Sequence, residues 1–106
     1  MFVRICRYRV LPEMLEEHLA IQRRASAIYR RYLPEEPAYF QSQNDPCEWV
    51  EIHPFRDEAS CRESTDRINR EPAIISLWQE FQAMLDPASP PVMEEFTERR
   101  PGDRLS

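Results

Sequence analysis

Lysine is missing from this chain: all fourteen basic residues are arginine. That removes Schiff-base chemistry, a covalently held pyridoxal cofactor and the lysine of a phosphate loop. Glycine is almost missing too, with Gly102 near the C-terminus as the one example. A phosphate-cradling loop or a dinucleotide fingerprint needs several glycines, so neither is expected in its usual form. The three cysteines, Cys6, Cys47 and Cys61, are odd in number and form no CxxC or Cys/His spacing, so they read as free thiols with no metal site. No apolar run approaches the ~20 residues that cross a bilayer. The opening MFVRICRYRV alternates charged and apolar residues and does not read as a secretion signal. A cytoplasmic location is the expectation. The net charge of −5 argues against a general affinity for nucleic acid. Arg23, Arg24, Arg30 and Arg31 read as the solvated face of a helix.

What is present fits one domain. A chain of 106 residues with 42% apolar and 31% charged residues can bury a single core. Residues 2–10 read as a strand, with Phe2, Arg4, Cys6, Tyr8 and Val10 on one face and Val3, Ile5, Arg7 and Arg9 on the other. Pro12 and the acidic Glu13, Glu16 and Glu17 open a helix. Met14, His18, Ile21, Ala25, Ile28 and Tyr32 then recur at helical spacing as far as about Leu33. His18 inside that stripe reads as a histidine at the core edge. Pro34 and Pro37 stop the helix.

Ala38–Gln43 and Glu48–Phe55 read as two strands joined by the turn residues Asn44–Cys47. With a symmetric turn, Ala38, Phe40 and Ser42 share a face with His53, Glu51 and Trp49; a one-residue slip reverses that assignment. Asp57 is a good N-cap for a second helix, which Pro72 breaks into two segments. The second segment carries Ile74, Leu77, Trp78, Phe81 and Leu85 as a core stripe. Val92–Arg99 reads as a last strand, and residues 101–106 as a tail. The order is β-α-β-β-α-β: an α+β, ferredoxin-like fold with four antiparallel strands and helices on one face.

The segment Glu48–Asp57, EWVEIHPFRD, holds the residues most open to chemistry. Trp49, Glu51, His53 and Phe55 alternate with the aliphatic Val50, Ile52 and Pro54. The aliphatic side is expected under the helices. The aromatic and charged side is expected on the open face of the sheet, where exposed Trp49, Phe55 and Phe40 invite a second copy of the chain. An imidazole accepts a proton near neutrality, which makes His53 the candidate base. Glu51, two residues away, would orient it or hold a substrate hydroxyl. Trp49, Phe55 and Phe40 would wall a flat ligand, and Arg7 or Arg9 would bind its anionic oxygen. The competing reading makes all of these structural residues of a packed dimer.

The stretches ICRYRVLPEMLEEH, WVEIHPFRDEASCRE and REPAIISLWQEFQAML resemble the dimeric α+β barrel superfamily, in particular the antibiotic-biosynthesis-monooxygenase-like (ABM) domains, with NIPSNAP-like domains next. The resemblance covers almost the whole chain, with residues 1–100 as the domain. It implies a homodimer with a ligand pocket between sheet and helices or inside the barrel. It further implies oxidation of small aromatic or quinol-type compounds by molecular oxygen, with no metal or flavin cofactor, since an electron-rich phenol once deprotonated can itself reduce oxygen. The usual glycine after the first strand's proline is Glu13 here. Haem-degrading relatives place Asn, Trp and His where this chain has Arg7, His53 and Arg62 or Glu63, so haem degradation is not expected. Three functions remain: a cofactor-independent monooxygenase, a non-catalytic binder of a small aromatic ligand, and a structural homodimer with a filled interior. Neither nucleic acid nor membrane is an expected partner.

Overall fold

The computed structural model describes residues 1–104. Four strands, β1 (Phe2–Arg9), β2 (Ala38–Gln41), β3 (Glu48–Phe55) and β4 (Val92–Thr97), form one antiparallel sheet in the order β2-β3-β1-β4. Three helices, α1 (Leu15–Tyr32), α2 (Glu58–Asn69) and α3 (Pro72–Ala83), lie over one face. The expected ferredoxin-like α+β fold is therefore present.

Local chemistry accounts for the boundaries. Pro12 opens a short 3-10 turn, Pro12–Met14, before α1 begins. Glu16 and Glu17 sit in the first turn of α1 and Arg30 and Arg31 in its last, both favourable to the helix dipole. Asp57 caps α2 by accepting the Ser60 backbone N–H at 2.7 Å. Pro72 starts α3 directly after α2 ends, so the expected break in the second helix is real. β2 ends at Gln41 and β4 at Thr97, two residues short of the expected ends in each case. Of the tail, Arg100 donates its N–H to Asp103 Oδ2, closing a turn; Leu105 and Ser106 lie outside the described residues.

The register corrects the expected faces. Ala38 pairs with Ile52, Tyr39 with Glu51 and Phe40 with Val50. This is one residue away from the symmetric pairing, so Tyr39, not Phe40, joins Glu51. A six-residue connection, 42–47, sets this offset: Ser42 N–H donates to Glu48 O, and Asp45 caps the Cys47 N–H and pairs with Arg9. The layers are reversed as well. Trp49, Glu51, His53 and Phe55 share the helix-covered side with Phe2, Arg4, Cys6 and Tyr8, whereas Val50, Ile52 and Pro54 share the open side with Val3 and Ile5. The large rings decide this. Tyr8 and Trp49 pack with Ile21, Ile28, Leu77 and Phe81 in the main core, and Phe2 and Phe55 pack with Cys61 in a second cluster. That burial is worth roughly 1.5–3 kcal/mol per large side chain, more than the half-covered aliphatics of the other face would gain.

Candidate functional site

Between the helix-covered face of the sheet and its own three helices lies a cavity of about 440 Å³. Burying large rings at both ends of the sheet leaves the centre, where β1 and β3 carry shorter or polar side chains, less completely filled. Phe55, Ile68, Leu77 and Phe81 wall it, and its polar lining includes Arg4, Gln22, Glu51 and His53. Trp78 and Ile75 of α3 and Met93 of β4 are about half exposed and form the rim.

Glu51 is the hub. Its Oε2 meets His53 Nε2 at 3.2 Å, and its Oε1 accepts the Tyr8 hydroxyl at 3.0 Å. Both side chains of the Glu51–His53 pair are about 15% exposed, toward the cavity. With Nε2–H directed at the carboxylate, the other ring nitrogen of His53, Nδ1, is the proton acceptor, and it bonds no other described residue. The ring edge of Tyr29 stands against the imidazole, centroids 5.6 Å apart. Behind Glu51, Tyr8 Oη lies 2.8 Å from His18 Nε2 and 3.3 Å from Gln22 Nε2.

The thiol and the phenols around the cavity are held neutral. Burial, reinforced by the Glu51 charge, pushes the Cys6 thiol up to about 11. Burial likewise raises the Tyr8 and Tyr29 phenols well above their ordinary value and pushes Tyr39 up to about 12. At neutral pH these are donors and walls rather than bases or nucleophiles. Arg4, opposite His53 in the β1–β3 register, donates to Thr65 Oγ1 at 3.1 Å and pairs with Glu95. No cluster among the described residues has the make-up of a metal site.

Of the six residues singled out from the sequence, His53, Glu51 and Phe55 line the cavity. Three do not. Trp49 is buried beneath it, against His18 at 4.8 Å between centroids, with its indole N–H on Pro46 O. Arg7 is exposed on the opposite sheet face, paired with Glu94. Phe40 is exposed on that same face. Sequence reasoning missed Arg4, Tyr8 and Gln22. The first two were visible as a shared face of β1, but only the pairing Arg4–His53 and Tyr8–Trp49 brings that face to the site. Nothing in the α1 pattern distinguishes Gln22 from a surface residue.

These features define a class by fold: an α+β sandwich, here with a cavity between the sheet and its helices. Known structures share the fold. A NIPSNAP family protein with unknown function from Agrobacterium tumefaciens superposes with a TM-score of 0.73 at 21% identity, over 95% of this chain and 92% of that one. An antibiotic biosynthesis monooxygenase gives 0.76 at 18% identity, over 94% of this chain and all of that one. SnoaB, a cofactor-independent oxygenase from Streptomyces nogalater, gives 0.73 at 17% identity over 93% of each chain. The chain thus has the ABM-like and NIPSNAP-like fold. No family model matches the sequence, and no curated protein matches it. No described helix is long and apolar enough to cross a membrane.

Proposed function

We propose that this chain is a homodimeric, cofactor-independent monooxygenase of a small aromatic or quinol-type compound. The observation that carries the reading is the Glu51–His53 pair opening into an otherwise mostly apolar cavity of about 440 Å³, within the range of small-molecule sites. A filled interior, as a purely structural dimer would have, fits that space poorly. The likeness to SnoaB supports the reading at the level of fold.

The geometry supports the following chemistry. Phe55, Phe81 and Trp78 hold a flat ring, and the phenolic proton passes to His53 Nδ1 while Glu51 stabilises the imidazolium through Nε2–H. The electron-rich phenolate then reduces molecular oxygen. One oxygen atom enters a ring carbon; the other leaves as water with the two hydrogens lost by the substrate. A phenol and O2 give a quinone and H2O, and the substrate supplies every electron. The apolar walls keep bulk water from the reactive anion.

The dimer is part of the reading. Phe40, Val92 and Phe96 are about half exposed on the open sheet face, beside Val3, Ile5, Val50 and Ile52. A second copy packed on that face would bury them.

The test is an oxygen-electrode screen of dihydroxyaromatic compounds. Uptake is expected for at least one of them, falling about a hundredfold in His53→Ala, the scale of a lost general base. Binding read from tryptophan fluorescence should persist in that variant. Binding without uptake in the unaltered protein would make the chain a non-catalytic binder of the same ligand class. No binding at all would end the proposal.

A further inference from the structure

Behind the Glu51–His53 pair runs a buried chain of polar groups that the proposed chemistry does not use. Its donors and acceptors can be assigned by elimination. Ionised Glu51 can only accept, so the single proton of Tyr8 is spent on Glu51 Oε1. Tyr8 Oη must then accept from its other neighbours. Gln22 supplies an amide N–H at 3.3 Å; the same nitrogen lies 3.2 Å from His18 Nε2, a contact that carries no hydrogen bond once His18 Nε2 is itself a donor. His18, at 2.8 Å, must donate from Nε2, which makes it the Nε2–H tautomer. This explains a second feature. His18 is fully buried and its Nδ1 has no partner. An orphaned acceptor is tolerable in that neutral tautomer; an orphaned N–H donor or a second proton there would be costly. Three donors are therefore aimed, through one phenol, at one oxygen of Glu51, and each polarises the next.

We propose that Tyr8, backed by His18 and Gln22, is a positioning residue. It holds Glu51 as an oriented anion and so fixes both the tautomer and the proton affinity of His53. The inference rests on the reading of His53 as a base, but its geometry stands without any substrate. The surroundings of His53 leave Tyr8 as the adjustable donor. From β1 come Arg4 and Cys6, from α1 Tyr29, from β2 Tyr39, and from α2 the uncharged Thr65 and Asn69. Arg4 is in turn tied to Glu95 of β4, which Arg62 of α2 also holds. The cavity-lining residues of α3 are apolar. None of these groups touches the oxygen of Glu51 that Tyr8 occupies.

The removal of the Tyr8 hydroxyl leaves His53 Nε2–H as the remaining side-chain donor to Glu51. The carboxylate charge then falls more fully on the imidazole and favours its protonated form. The test uses 15N NMR of the intact protein, in which only two histidines report. In the unaltered chain His18 and His53 are both expected as Nε2–H tautomers. In Tyr8→Phe the His53 midpoint should rise by about half a pH unit or more, with mixed tautomers. Gln22→Leu should move it the same way by less. His18→Gln keeps an N–H donor and should leave it in place, whereas His18→Leu should not. An unmoved His53 in both Tyr8→Phe and Gln22→Leu overturns the proposal. A moved His53 in a protein that oxidises no aromatic compound would instead retain the positioning role and remove the monooxygenase reading.

Discussion

At the residue scale, burial of His18 links the site to stability. Desolvation lowers its pKa below the ordinary value, and the Glu51 charge only partly offsets this. The unfolded chain takes up a proton near pH 6.5, but the folded chain resists it until lower pH. Between those limits the unfolded state binds more protons, so stability falls as pH falls. The His18 contribution is fully present above about pH 6.5 and drains away below it. The lowered carboxylates Asp45, Asp57 and Glu95 act in a separate range, losing their contribution as pH drops through the carboxylate region, below about pH 4. Urea midpoints at pH 7.5, 6 and 5 should therefore decline more steeply for the unaltered protein than for His18→Gln. Parallel curves would show that the imidazole is not held neutral. The histidine was legible in the sequence as part of the α1 stripe; its partner Tyr8, ten positions away on a strand, was not. Helical spacing reports which face is buried, not what waits on the other side.

At the scale of elements, the legible features were those set by local chemistry. Pro12, Asp57 and Pro72 mark helix starts with residues whose backbone and side-chain preferences act within a turn. The hairpin register was not legible, because the pairing depends on how Asp45, Arg9 and the 42–47 connection close. That single residue moved Phe40 out of the site and Tyr39 into it. The choice of covered face failed for a related reason. Alternation in β3 gives two plausible sides, and only the summed ring burial of β1 and β3 against α1 and α3 selects one. Ile28 tests that packing away from the cavity. It is 5% exposed in the main core and does not line the site. Ile28→Ala should cost about 2–5 kcal/mol in urea denaturation while ligand binding, measured well below the melting temperature, is retained. Loss of binding at full stability would mean that α1 positions the cavity wall through Ile28.

At the scale of the molecule, the unfinished surface is the open sheet face. Its covering was expected to be invited by Trp49 and Phe55, which in fact lie under the chain's own helices. Other residues favour association. Phe40 at one edge of the sheet and Phe96 at the other are both about half exposed, with Val3, Ile5, Val50 and Ile52 between them. A continuous apolar strip across four strands is unfavourable in water and well shaped for a flat, self-complementary contact. Charges on this face, Arg7 with Glu94 and Arg9 with Glu48, already pair with each other, so these pairs need not be stripped of partners when it is covered. Because Phe40 and Phe96 are exposed in the single chain, charging them should spare the fold. Phe40→Arg or Phe96→Arg should each weaken the dimer by about 2 kcal/mol, the scale of an interface hot spot, or roughly thirtyfold in dissociation constant. Sedimentation at micromolar concentration reads this directly, with circular dichroism checking the fold. A folded dimer untouched by either change would place the contact elsewhere, and an unaltered chain that sediments as a monomer would remove the dimer from the proposed function. The cavity, which lies wholly on the other side of the sheet, would survive either result.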